Sequence, residues 1–370
     1  MSSELGSDLR KELLAIGKTQ FEKEKAKYDE KLAVSTGKEL AFLAELDKSL
    51  SKIFKGGVPS QLKISKPPKQ KSVERVLSLF LSDTHYGSQL DPAECGFKYG
   101  PIEEARRTAQ VVLNTSSYKT EHRNNTTLIF HLLGDLIQGQ LHDLRDGAPL
   151  ADQMAACIHI VSQAVRFLAS NFPKVIIPVT EGNHGRNKAR HNERAIFQKW
   201  DSNERVIYYA LKKIVEYAKW ENVKVIMGKT PYYRIDALGH SLFGTHGDTV
   251  LNPGNPHKTV NVGSLTNQLN KIMAAESANG LPKTSVAVVG HVHIATQIHL
   301  PGVTVFTNGS LIPPDNYALA AYGSMDSECG QWLLETTREY AVGDSRLIRV
   351  DHKTDKDSSL DQIISKYQGF

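Results

Sequence analysis

The sequence predicts an α/β domain, a sheet with helices on its faces, behind an N-terminal helical extension. Three observations lead there. From residue 73 onward, short apolar runs rich in Val, Ile and Leu alternate with longer amphipathic segments, the pattern of buried strands joined by covering helices. Residues 55–72 are dense in Gly, Pro and Lys, which is linker chemistry. The first 54 residues instead repeat their apolar positions at near-helical spacing.

In chain order, the extension starts at a capping Ser7 or Asp8 and carries Leu9, Leu13, Phe21, Tyr28, Leu32, Leu40, Leu43 and Leu46 on its repeat. Gly17 and Ser35-Thr36-Gly37 interrupt it. Residues 7–54 read as a pair of helices for docking a protein partner or for self-association, or as packing against the core. Lys55-Gly56-Gly57-Val58-Pro59 and Lys66-Pro67-Pro68-Lys69 follow, and the boundary falls near Ser72. Strands are expected at Val76–Ser82, Leu128–Leu133, Val175–Val179, Val223–Met227, Ser241–Thr245, Val286–Val289 and Val303–Thr307. Helices are expected at Ile102–Leu113, Leu150–Ala169, Val206–Ala218 and Leu265–Ala275. Trp332–Leu334 and Arg346–Val350 add strands to a domain spanning 73–350, and residues 351–370 form a polar tail.

With 40% hydrophobic and 23% charged residues among 370, the composition is that of a globular protein with a substantial core. Cys95, Cys157 and Cys329 are far apart and form no CxxC, which argues against a thiolate zinc site and a disulfide framework. No apolar run approaches the roughly 20 residues of a membrane span. The opening Met-Ser-Ser-Glu-Leu-Gly has no signal-peptide character, so a cytoplasmic protein without a membrane partner is expected. The net charge of +5 is uneven: residues 1–72 hold 15 Lys+Arg and 10 Asp+Glu, and the remainder is neutral. Such a basic arm suits nucleic acid or an acidic partner, or is a solvated helix with extra lysines.

The informative pattern is where polar residues interrupt the apolar runs. The first run ends in Ser82-Asp83-Thr84-His85-Tyr86-Gly87 and the second in Leu133-Gly134-Asp135. The third passes into Glu181-Gly182-Asn183-His184, the next into Thr245-His246-Gly247-Asp248, and a fifth into Gly290-His291-Val292-His293. Ligand sites in open α/β sheets collect beyond the carboxyl ends of strands, so five such ends are expected to share one crevice. Asp83 and His85, and likewise His291 and His293, are two apart, which in extended backbone places each pair on one side. Two carboxylates, one amide oxygen and four imidazoles suffice for two cations sharing one Asp, with positions left for water and substrate.

These blocks, in this order, resemble the signature of calcineurin-like metallophosphoesterases over residues 74–310. The resemblance implies a sheet sandwich flanked by helices and a phosphoric ester hydrolase. By it, Asp83, His85 and His293 hold one metal with a bridging Asp135, and Asn183, His246 and His291 hold the other. His184 becomes the histidine that protonates the leaving oxygen or steadies charge in the transition state, and the nucleophile is a hydroxide held between the cations. Manganese is the expected metal, with Fe, Zn, Ni and Mg as alternatives. One position departs from the family pattern: Gly185 stands where an acid usually follows the histidine. Asp248, Asp143 and Asp146 are the candidates to orient His184 in its place.

Around the blocks, Arg186, Lys188 and Arg190 read as phosphate contacts or as a solvated helix entry, and His142 as a substrate-facing or solvated loop residue. Asn252-Pro253-Gly254-Asn255-Pro256-His257-Lys258 reads as a substrate-side loop, and Asn308-Gly309-Ser310 as a turn. His131, His159, His240 and His299 read as core or surface residues. The first block is similar to that of the SbcD-type DNA repair nucleases, which implies a phosphodiesterase acting on DNA. His246-Gly247-Asp248 resembles a block of the lipid-sugar pyrophosphohydrolases, which keeps a small-molecule phosphodiesterase or pyrophosphohydrolase open. The third reading is an inactive scaffold working through its N-terminal helices.

Overall fold

Two sheets pack face to face because each carries apolar residues on the side turned to the other. The computed structural model describes residues 63–90, 92–96, 99–141, 147–186, 201–254, 260–315 and 329–350. The expected helical extension and polar tail lie outside them. The first sheet contains β1 (Arg75–Leu81), β2 (Thr126–Leu132), β3 (Val175–Val179) and β4 (Val223–Met227) in parallel. It is extended antiparallel by the late strands β10 (Gly330–Thr337) and β11 (Asp344–Arg349), in the order β11-β10-β1-β2-β3-β4. The second sheet is built from β5 (Tyr232–Ala237), β6 (His240–Thr245), β7 (Thr284–Val289), β8 (Thr296–Leu300) and β9 (Val303–Thr307), in the order β5-β6-β7-β9-β8. Its inner strands β6, β7 and β9 are parallel, with antiparallel strands at both edges.

Between the sheets lie Val76, Phe80, Ile129 and Leu133 from one side and Leu242, Val286, Val288 and Phe306 from the other, all buried. Helices α1 (Pro101–Ser117), α2 (Leu150–Asn171) and α3 (Asn203–Tyr217) pack side by side, with α1 reaching β11 and α3 reaching β4 at opposite edges of the first sheet. Helix α4 (Val262–Ala278) covers the second sheet by burying Leu265 and Leu269 against Phe243, Ala287, Val289 and Val305. The helix starts follow from sequence: Pro101 opens α1, Ser202 caps α3 and Asn261 caps α4.

Strands β5 and β8 are not among the runs expected from sequence. The β5–β6 hairpin turns through Leu238 and Gly239, both at positive φ (57° and 92°), the conformation of a two-residue hairpin loop. Leucine is a poor signal for such a turn, which leaves this hairpin without a sequence signature. The β8–β9 hairpin turns through Pro301-Gly302, with Gly302 at φ 79°, a legible type II signature.

A histidine sits in the core between the sheets. His131, in β2, lies between the sheets against Phe80 and within 2.6 Å of the Tyr233 hydroxyl. Burial pushes its imidazole down to about 3. The unfolded chain protonates this ring near pH 6.5, whereas the folded chain resists until about pH 3. Its contribution is therefore complete above about pH 6.5 and is lost as pH falls towards 3, on the order of several kcal/mol. Urea unfolding between pH 7 and 4 should show a steeper loss of stability for the wild type than for His131→Gln; parallel profiles would contradict this placement.

Candidate metal centre

The parallel order of β1, β2 and β3 sends their carboxyl ends to one side of the first sheet, and β6 and β7 end beside them. Asp83 and His85 follow β1, Asp135 follows β2, Asn183 and His184 follow β3, His246 follows β6, and His291 and His293 follow β7. The structure brings all eight together. Asp83, His85 and His293 form one group whose ligand atoms lie within 4.8 Å of one another; Asp135, His246 and His291 form a second; His85, Asp135 and His184 form a third. Asn183 joins the second group, with its Oδ1 3.0 Å from Nε2 of His246.

The way the pairs are aimed differs from the sequence expectation. Extended backbone does not place Asp83 beside His85 or His291 beside His293. All four are in the left-handed region, at φ 52°, 49°, 73° and 60°, and Asp135 joins them at 50°. Side chains other than glycine occupy that region at a cost, and such strain collects at functional sites where the surroundings hold it in place. Here the holding contacts are visible. The N–H of Asp83 donates to the Gly134 carbonyl at 3.1 Å and that of His85 to the Asp135 carbonyl at 3.1 Å, while the Asp83 carboxylate accepts the N–H of His291.

Hydrogen bonds also fix which ring nitrogen faces inward. His246 donates its Nδ1–H to the Leu133 carbonyl at 2.9 Å, and His184 donates its Nδ1–H to the Gln138 carbonyl at 2.8 Å. His85 donates Nδ1–H to the Gln138 side-chain oxygen at 2.9 Å. Each ring then turns Nε2 towards the cluster, the arrangement that orients histidine ligands. Nε2 of His85 stands 3.2 Å from Nε2 of His293, which is 3.4 Å from Oδ1 of Asp83. Nε2 of His246 stands 3.0 Å from Oδ2 of Asp135. The other oxygen of Asp135 accepts the N–H of His184 at 2.7 Å.

Electrostatics favour a neutral ring at His85 and His291 and an ionised Asp135. Burial, reinforced by His184 and His293, pushes the His85 imidazole well below its ordinary value. Burial would raise the Asp135 carboxyl, but His246, His184 and His85 outweigh it and hold it well below the usual carboxylate range. Burial pushes Asp83 up to about 6 and His291 down to about 4. Nδ1 of His291 is buried without a hydrogen-bond partner, an arrangement that costs free energy unless something meets it. Imidazole nitrogens, carboxylates and an amide oxygen thus converge towards common points. This donor set fits divalent cations, and one without thiolate suits Mn, Fe or Zn.

The remaining expected residues divide. Arg186 is close by, but its guanidinium is paired with the carboxylate of Asp248, so Asp248 is committed there. The group that receives the His184 Nδ1–H is a main-chain carbonyl rather than an acid. Lys188, Arg190, His142, Asp143 and Asp146 lie outside the described residues, as does most of the loop after Asn252-Pro253-Gly254. Asn308 is a buried brace rather than a simple turn residue: its amide donates to Ser82 Oγ at 3.0 Å and to Gln331 Oε1 at 2.7 Å, behind Asp83.

Sequence reasoning missed Gln138, Glu104, Gln153 and Glu204. Glu104, in the first turn of α1, accepts the N–H of Gly87 at 2.6 Å; Gln153, in the first turn of α2, accepts that of Gly139 at 2.7 Å. Acids in a first turn read as ordinary partners of the helix dipole, and nothing in the sequence says which of them turn inward. An apolar cavity of about 190 Å³ between α1 and α2, lined by Ala105, Val112, Ile160 and Phe167, shares no residue with the cluster.

Glycine matters where the loops touch. A Cβ at Gly182 would fall on Oδ1 and N of Asp135. Gly182→Ala should therefore destabilise the chain by about 1–3 kcal/mol through overpacking and also weaken divalent-cation binding. Unfolding and metal titrations matching the wild type would contradict the close approach.

No protein-family model matches the chain, and no curated protein matches it. Solved structures with a related arrangement exist. A predicted phosphoesterase from Streptococcus pneumoniae TIGR4 is 12% identical, with 75% of this chain and 100% of that chain covered and a TM-score of 0.30. An archaeal phosphodiesterase is 14% identical, over 74% of this chain and 99% of that one, with a TM-score of 0.33. A hypothetical protein from Pyrococcus horikoshii OT3 is 12% identical, over 79% and 94%, with a TM-score of 0.39. Likenesses this distant carry nothing about chemistry, which has to be read from the side chains themselves.

Proposed function

We propose that this chain is a two-metal phosphoesterase, and specifically a phosphodiesterase acting on DNA. The observation that carries the reading is the convergence of lone pairs around Asp135, with the outer ring nitrogens of His85, His184 and His246 already engaged as donors. Asp83, His85 and His293 would hold one cation with Asp135; Asn183, His246 and His291 would hold the second with the same carboxylate. When bound, such a pair supplies Lewis acidity towards a phosphoryl oxygen and lowers the pKa of water towards neutrality. Manganese is our choice, on the family resemblance, with Fe, Zn, Ni and Mg distinguishable by reconstitution.

The protein's own part is orientation and proton handling. Asp135 is kept from rotating by the N–H of His184 on one oxygen. His184 lies with its ring edge-on to His85, centroids 4.4 Å apart, at the side of the first cation group. With Nδ1–H committed to the Gln138 carbonyl, His184 holds or delivers its exchangeable proton at Nε2, towards the oxygen that leaves. Its tautomer is set by a carbonyl, which orients the ring without adding the charge stabilisation of an acid.

A DNA diester is supported by the Ser82–Gly87 block and by the positive surplus of residues 1–72, a source of salt-sensitive backbone contact. One observation favours the second reading, a small diester: Asp248 neutralises Arg186, the described member of the basic run after His184. The complete ligand set speaks against a scaffold without activity. The test is turnover of bis-p-nitrophenyl phosphate against p-nitrophenyl phosphate with Mn²⁺, followed by linear and circular DNA. Preference for the diester with DNA cleavage is expected; activity confined to small esters would move the assignment to the second reading. Asp135→Asn should lose at least one bound metal per chain and turnover by on the order of 10²–10³-fold or more, the scale of removing a preorganised electrostatic contact. An unchanged metal content would remove Asp135 from the bridge.

A further inference from the structure

Glu204 is the second residue of α3 and is completely buried. Its two carboxylate oxygens are divided between two loops. Oε1 accepts the N–H of Leu136 at 2.5 Å, and Oε2 accepts the N–H of Gly182 at 2.6 Å. Leu136 follows Asp135 directly, and Gly182 directly precedes Asn183. One side chain thus clamps the loop carrying the shared carboxylate to the loop carrying the amide ligand and His184.

The start of α3 is itself fixed for this purpose. Ser202 accepts the N–H of Glu204, and Asn203 donates both main-chain and side-chain N–H groups to the Gly185 carbonyl. A Cβ at Gly185 would come within 2.7 Å of Cγ of Glu204 and of Oγ of Ser202. No positive φ requires glycine there; the requirement is room for Glu204. The departure of the third block from the family pattern therefore has a local steric cause.

We propose that Glu204 is a positioning residue for the second cation group: by setting the separation of the two loops, it sets how well Asp135 and Asn183 bind the ion they share. The inference rests on the two-metal reading above. Only a side chain with two acceptor oxygens can serve both N–H groups. A glutamine offers one oxygen and an amide NH₂ that meets a donor head-on, leaving one buried N–H unsatisfied.

The test is Co²⁺ titration of the full chain by calorimetry, with the visible spectrum of the loaded protein, for wild type, Glu204→Gln and Gly185→Ala. The alanine would press on Cγ of Glu204 without removing its carboxylate. Wild type should take up two Co²⁺ per chain. Glu204→Gln, with far-ultraviolet dichroism like wild type, should keep one equivalent near wild-type affinity and bind the other 10–100-fold more weakly, the scale of losing a partner behind a metal ligand. Its cobalt spectrum should change, which a purely structural role would not produce, and Gly185→Ala should move in the same direction. Folded variants with the wild-type titration and spectrum would overturn the proposal. If Glu204→Gln does not fold, Gly185→Ala decides alone. If neither folds, Glu204 serves the fold rather than the ion, and the proposal fails. Wild-type protein that binds no Co²⁺ refutes the metal reading itself, an outcome separate from the failure of Glu204.

Discussion

Lone pairs that face one another need a positive charge between them, and this constraint organises the carboxyl ends of both sheets. Histidine and carboxylate atoms stand 3.0–3.4 Å apart across the cluster, at His246–Asp135, His85–His293 and Asp83–His293. In a dry interior a contact between two lone pairs is unfavourable unless a cation or a proton lies between them. The chain restrains the cluster, because His85, His184, His246 and both aspartates are tied on their far sides. Carbonyls of Leu133 and Gln138 grip the rings, and the N–H groups of His184 and His291 grip the two aspartates.

The same constraint accounts for the backbone. Five of the ligand candidates adopt left-handed φ values that their residue types ordinarily avoid. They are held there by links between loops and by side chains from the covering helices. Glu104, Gln153 and Glu204 each reach from the first turn of a helix into a loop beside the cluster. In a parallel βαβ arrangement the start of each helix lies near the carboxyl end of the strand before it. The first turn is thus the place from which a buried polar side chain can brace a site. The inter-sheet core and its apolar cross-contacts then fix the two sets of strand ends relative to one another.

Much of this was legible in the sequence because buried parallel strands announce themselves as continuous apolar runs. Val175–Val179, Val223–Met227 and Val303–Thr307 begin and end as their runs do. The polar residues closing five runs were legible for the same reason: they break a strong pattern at its end. Edge strands β5 and β8 were not, since their half-exposed alternation is weak and one of their turns runs through leucine. Also hidden were the roles that depend on long-range geometry. Gln138 lies in a loop with no periodicity. Glu204 looks like any acid at a helix start, and the pairing of Arg186 with Asp248 joins residues 62 apart in sequence. The two-residue spacing of Asp83 and His85 was informative, but the extended-backbone explanation for it was wrong: left-handed turns, not strand alternation, aim that pair.

The most direct measurement is an anomalous-difference map from crystals of the chain grown with Mn²⁺, collected on both sides of the manganese edge. Two peaks about 3.5–4 Å apart, one on each side of the Asp135 carboxylate, are the predicted result. A map without a peak at that carboxylate, or with manganese bound only elsewhere on the molecule, would contradict the account.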